Sequence, residues 1–161
     1  LSEAWMESGL CFDAIGSTEE ALHHIKKALY LSPNDLEYLY IQTGVYKKTG
    51  LYAEADLGYQ KLIELGCDSP TIWIEYANLT HTINETKDSI SLLKQGLKAN
   101  KDHLDILCLL GAYYFIQKDV KNAKKFLDKG IKQDSDGCTV IYKYFPELES
   151  NIDFNQLLNF T

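Results

Sequence analysis

Four histidines and four cysteines are the side chains of this 161-residue sequence most suited to holding a metal or attacking a substrate, and their spacing argues against both. His23 and His24 are adjacent. On a helix, neighbours in sequence diverge by about 100° and cannot close on one ion. His81 and His103 stand outside any ligand spacing with Cys, Asp or Glu, and read as surface or partly buried rings. Cys11, Cys67, Cys108 and Cys138 contain no C-x-x-C pair. Cys11 and Cys108 lie among apolar residues on predicted helices and read as small buried hydrophobes. That pattern fits an intracellular, cytoplasmic setting, and a disulfide among the four stays open. The carboxylate pairs Glu19-Glu20 and Asp134-x-Asp136 read as helix-cap and turn residues rather than an acid–base couple. No glycine-rich phosphate cradle, G-x-S-x-G elbow, H-E-x-x-H or EF-hand loop occurs. The expectation is a chain that is not an enzyme, with no metal and no cofactor.

Charge narrows the partners. The formal net charge is −7, and all 16 basic residues are lysines. Bidentate reading of phosphates and guanine edges is typically arginine work, so nucleic acid is not an expected partner. No apolar run approaches the roughly 20 residues that span a bilayer, and no membrane partner is expected. One stretch is strongly basic: Lys121, Lys124, Lys125, Lys129 and Lys132. Interleaved with Ala123, Phe126, Leu127 and Ile131, it reads as the solvated face of a helix packed on its other side. A hydrophobic content of 45% is enough to build a core. Leu1 is not an initiator Met and no secretory leader precedes the pattern, which suggests a segment of a longer protein or a processed chain.

What organises these residues is self-similarity. Starting at Ser2, Leu36, Pro70 and Leu104, four successive 34-residue units hold one register without insertion. Position 4 carries Trp5, Leu39, Trp73 and Leu107; position 8 carries Gly9, Thr43, Ala77 and Gly111. Position 11 carries Phe12, Tyr46, Thr80 and Tyr114, and position 20 Ala21, Ala55, Ser89 and Ala123. Position 24 carries Ile25, Tyr59, Leu93 and Leu127. A fixed period of this length means stacked copies of one supersecondary unit. The order large, small, aromatic, small, large resembles the tetratricopeptide repeat (TPR) family in its bacterial-type arrays. The resemblance implies an all-α, right-handed α-solenoid of four helix-turn-helix repeats (2–35, 36–69, 70–103, 104–137). Residues 138–161 are expected to form a C-terminal helical cap.

The residues support two antiparallel helices per unit. In the first unit Gly16-Ser17 breaks the apolar periodicity, and Ser17 with Glu20 spells a capping box. Ser32-Pro33 and Ser69-Pro70 open the following helices, with proline placed in the first turn. Gly50, Asn84 and Lys118 mark the internal turns of the other units, and Asp119 is a candidate N-cap. Val140, Ile141, Tyr144 and Phe145 begin a helix that Pro146 stops, and residues from Leu148 through Phe160 form a second one. This tail is expected to cover an apolar end of the stack.

Family resemblance places a binding groove on the first helix of each unit. The residues it nominates include Glu7, Glu37, Tyr40, Ile41, Glu75, Asn78, Asp105, Leu109 and Phe115. Over all the groove positions six acids against two lysines leave a formal −4. Some TPR domains hold a C-terminal carboxylate with a clamp of cationic and amide side chains. Here those positions hold Met6, Leu10, Ile41, Thr71 and Glu75, or, one unit on, Tyr40, Gly44, Glu75, Asp105 and Leu109, so the clamp is rejected. The expected function is a non-catalytic protein-interaction scaffold taking a partner protein or peptide, apolar with some basic residues, in this groove. A regulatory or sensor module within a larger protein is the alternative, and self-association through the first unit is a further expectation.

Overall fold

The computed structural model describes residues 1–83 and 86–159, so Asn84 and Phe160 of the sequence argument lie outside the described residues. All regular structure among the described residues is helical. Eight helices form four antiparallel pairs: α1 (Ser2–Ala14) with α2 (Thr18–Leu31), α3 (Leu36–Lys48) with α4 (Tyr52–Glu64), α5 (Pro70–Ile83) with α6 (Thr86–Ala99), and α7 (Leu104–Ile116) with α8 (Val120–Gln133). A 3-10 turn (Gly137–Thr139), α9 (Val140–Tyr144), a second 3-10 turn (Pro146–Leu148) and α10 (Ile152–Asn159) follow. The chain divides into two compact units, Leu1–Cys67 and Asp68–Thr161.

The repeating small residues set how closely helices approach. Ala21, Ala55, Ala77, Ser89 and Ala123 are fully buried, as are Ile25, Tyr59, Leu93 and Leu127. A Cβ placed on Gly9 would sit 2.7 Å from Ile25 Cγ1, and one on Gly111 2.5 Å from Leu127 Cγ. Each glycine thus leaves the space that the paired helix fills. A further small position went unread in the sequence. Ala28, Gly96 and Gly130 recur at the 34-residue step (Leu62 takes the same place in the second unit), and all are buried. A Cβ on Gly96 would meet Trp73 at 2.7 Å.

The internal turns share one hydrogen-bond pattern. Gly16 N–H donates to Asp13 O (3.0 Å) and Ser17 N–H to Phe12 O (2.9 Å); Gly50/Leu51 and Lys118/Asp119 repeat the pair of bonds. This motif demands a left-handed residue. Gly16 and Gly50 supply it at φ 81° and 79°, whereas Lys118 adopts φ 63° without that freedom.

The same turn corrects the capping box. Ser17 caps α2 without a side-chain hydrogen bond. The reciprocal half of a capping box needs the Ser17 N–H, which is already committed to Phe12 O. Asp119 has its N–H engaged in the same way, yet it reaches forward, accepting from Asn122 N (3.1 Å) and Asn122 Nδ2 (2.7 Å). Those bonds hold its carboxyl below the ordinary value. Pro33 also differs from expectation. It sits in the turn before α3, where Asp35 is the cap and accepts from Tyr38 N at 3.0 Å. Pro70 does open α5.

Both cysteine readings change. Cys11 is exposed, and Cys108 is buried but bonded to Cys138, 30 residues on. The disulfide joins α7 to the turn ahead of α9, and Gly130 makes room for it: a Cβ there would lie 2.8 Å from Cys108 Sγ. Spacing could not reveal this pair, because the fold of α8 lies between its members. In the second unit Ile141, Phe145, Leu148 and Phe154 of the C-terminal segment are buried in the same cluster as Leu107, Leu110 and Tyr113 of α7.

Candidate functional site

In the first unit the nominated side chains stand on α1 and α3. Glu7 and Glu37 are exposed, while Tyr40 and Ile41 are half-buried. Ile41 leans on the small core of Met6, Ile25, Tyr38 and Val45. Lys48 Nζ donates to both carboxylate oxygens of Asp13, at 3.1 and 3.2 Å, pinning the end of α3 to α1. The pair takes one groove lysine and one groove acid out of play together, so the formal −4 of the groove positions is unchanged. His24 is wedged between Trp5 and Phe12, each ring centroid 4.9 Å away in edge contact. It is a packing residue of α2.

In the second unit, Glu75, Asn78, Asp105 and Phe115 are half-buried, and Leu109 is closed off at 1% exposure. The C-terminal segment accounts for part of this. Phe154 of α10 stands edge-on to Phe115 at 5.0 Å. Tyr144 of α9 lies within the field of Glu75 and Asp105; burial first, and those carboxylates, push its phenol pKa up, opposed by Lys143. Leu109 therefore presents no open surface, and Phe115 presents one edge.

His81 is clasped where three elements meet. Its ring is 5.3 Å from Tyr113 and 5.5 Å from Phe145, and its Nδ1 is 3.3 Å from Thr86 Oγ1. Desolvation lowers its pKa, partly offset by Glu147. Burial drives the Tyr113 phenol far above its ordinary value. These are the marks of a packed aromatic cluster. Among the described residues, no three His, Cys, Asp or Glu side chains are placed to hold a metal ion.

The sequence reading missed a cavity of about 700 Å³ in the second unit. Phe115, Ile116 and Val120 form one wall, Leu148 and Leu157 the other, and Lys118, Glu147 and Asp153 stand among the lining polar groups. The size suits a bound side-chain cluster or small ligand. It lies between the α7–α8 turn and the segment after Pro146, which meet only in the folded chain, so no local pattern encodes it.

Comparison with known proteins agrees with this architecture. The tetratricopeptide repeat family model matches residues 2–35 and 104–136, the first and fourth units. No curated protein sequence matches. A tetratricopeptide repeat protein from Parabacteroides merdae is similar in structure, with a TM-score of 0.77 and 19% identity over 98% of this chain and 65% of that one. MamA from Desulfovibrio magneticus RS-1 (residues 41 to the end) is similar at a TM-score of 0.70 and 17% identity, covering 97% and 90% of the two chains. YrrB, described as a TPR protein with an unusual peptide-binding site, gives 0.65 and 15% over 95% and 80%. The first and fourth units thus match the tetratricopeptide repeat model, and the second and third are built of the same helix pair.

Proposed function

We propose that the chain is a non-catalytic interaction module whose first-type helices hold a partner segment that is apolar with some basic residues. The observation that carries the reading is the contrast along these helices. Trp73, Ala77 and Leu107 are consumed by packing, while Glu37 is exposed and Tyr40, Glu75, Asn78 and Asp105 are only partly buried. Tyr40 and the open edge of Phe115 supply the large, amphipathic contact area that dominates interface energetics. The cavity beside Phe115 offers an anchor for an apolar side chain. Glu7, Glu37, Glu75 and Asp105 favour cationic or neutral partners over anionic ones. YrrB, a protein of the same fold, is described as having a peptide-binding site.

A random-peptide display selection on the full chain tests this. Selected peptides are expected to be rich in aromatic, aliphatic and Lys/Arg residues, and to be released by the Tyr40→Ala/Phe115→Ala double substitution. Peptides that bind that variant as tightly as the parent would overturn the proposal.

A further inference from the structure

The outer helices of the second unit carry a charge opposite to the rest of the molecule. α6 and α8 together hold eight lysines and two aspartates, a formal +6, in a chain whose net charge is −7. All eight lysines are exposed. None makes an ion pair with a described residue. The equivalent helices of the first unit, α2 and α4, hold five acids and three lysines.

Register shows where the reversal falls. Lys87 and Lys121 occupy the place held by Glu19 and Ala53 in the first two repeats, and Lys98 and Lys132 the place of Tyr30 and Glu64. Between these ends the two rows share an aromatic seam. Tyr114 and Phe126 stack at 5.6 Å with 5° between their planes, Lys94 of α6 reaches over Tyr114 at 5.3 Å, and Lys125 of α8 over Phe126 at 5.7 Å. Lys94 of α6 and Lys125 of α8 therefore meet on one surface, and helical spacing puts Lys87 and Lys98 on the side of Lys94, and Lys121, Lys129 and Lys132 on the side of Lys125. Asp119 lies within the field of Lys94 and Lys121, and Asn122 already engages its carboxylate.

We propose that this α6–α8 face docks on an anionic lipid bilayer surface. Rows on two helices, each running about 16 Å from its first to its last lysine, make a two-dimensional array. A planar sheet of charge meets every lysine of such an array, whereas an extended acidic segment follows one row. The ammonium groups suit a diffuse anionic surface: they are point charges that neither need nor give the bidentate geometry of arginine. No helix among the described residues is long and apolar enough to cross a membrane, so the contact is peripheral. The acids of α5 and α7 lie one helix layer behind, about 8–10 Å away, which is about one Debye length at physiological salt. They weaken the attraction of the basic face without cancelling it. The proposal is independent of the peptide-binding reading, because it uses none of the same side chains.

The experiment is co-sedimentation of the full chain with phosphatidylcholine vesicles, with and without roughly one-third phosphatidylserine, at about 50 mM and about 300 mM salt. Binding is expected to the anionic vesicles alone and to fade at the higher salt. Each lysine at such a surface contributes about fivefold in partitioning. Lys121→Gln/Lys125→Gln/Lys129→Gln should thus lower binding about a hundredfold, and Lys87→Gln/Lys98→Gln about 25-fold. Circular dichroism checks that these exposed substitutions leave the fold intact, and Tyr40→Ala/Phe115→Ala should bind vesicles as the parent does. Equal binding to neutral vesicles, no loss in either lysine variant, or binding to polyglutamate without binding to anionic vesicles would each overturn the proposal.

Discussion

Two glycines of the first unit separate backbone requirement from mere presence. Gly50 closes α3 at φ 79°, a conformation that costs a residue with a Cβ about 1 kcal/mol or more. Gly44 lies within α3 with open space where its Cβ would be. Gly50→Ala should therefore lower unfolding free energy by about 1 kcal/mol, and Gly44→Ala should raise it by about 0.5–1 kcal/mol. Urea denaturation of the two variants checks the pair; a common sign for both would refute the turn assignment. Single residues also carried most of the legible fold. Gly9 and Gly111 at one position of the repeat, and Ala21, Ala55 and Ala123 at another, recur because a larger side chain at any of them would hold two helices apart. Size at a contact is a local property that the sequence states directly. Ser17 was misread because one N–H cannot serve two motifs, and the competing bond comes from the preceding helix.

Helix pairs translate these contacts into stability. Ala55 on α4 is fully buried, so Ala55→Leu should overpack the α3–α4 contact and cost about 1–3 kcal/mol. Unchanged thermal unfolding would place the contact elsewhere. In the second unit, His81 joins α5 to α7 and to the segment after α9. Its lowered pKa means that the folded chain binds the proton less readily than the unfolded chain. Stability should be complete above the ordinary imidazole value and fall as pH drops through it, from about 7.5 to 5.5. His81→Phe should flatten that slope, measured by urea unfolding at both pH values, whereas equal slopes would show that His81 titrates freely. The Cys108–Cys138 link closes a loop between α7 and the start of the C-terminal segment. Cys138→Ala should cost about 2–4 kcal/mol under non-reducing conditions. Thiol titration of the denatured, unreduced chain should find Cys11 and Cys67 alone; four free thiols would contradict the bond.

For the whole molecule, the acidic balance predicts how partners arrive. A formal −7 with groove acids such as Glu75 should speed association of cationic segments at low salt, an advantage that fades as the Debye length falls to about 8 Å. Glu75→Lys should slow association and reduce its salt dependence, while Tyr40→Ala should act through faster dissociation. Stopped-flow binding of a display-selected peptide separates the two. Equal rate effects in both variants would remove the division of labour between charge and contact area. Phe115→Ala is a less clean probe, because its ring also packs against Phe154.

The sequence by itself determined the all-helical architecture of the described residues and the helix pair of each unit, because these are repeated locally and a period of 34 residues leaves four samples of the same constraint. The family resemblance nominated Glu37, Tyr40, Glu75, Asn78 and Asp105, of which Glu37 is exposed and the other four are half-buried. Tertiary structure alone decided what happens where the repeat stops. The burial of Leu109, the clasp on His81, the pairing of Cys108 with Cys138, and the cavity between the α7–α8 turn and the segment after Pro146 all depend on how a non-repeating tail folds onto α7. The meeting of two lysine rows across the Tyr114–Phe126 seam is likewise decided in three dimensions, because period and spacing describe one helix at a time, and neighbouring helices share a surface only once they are packed.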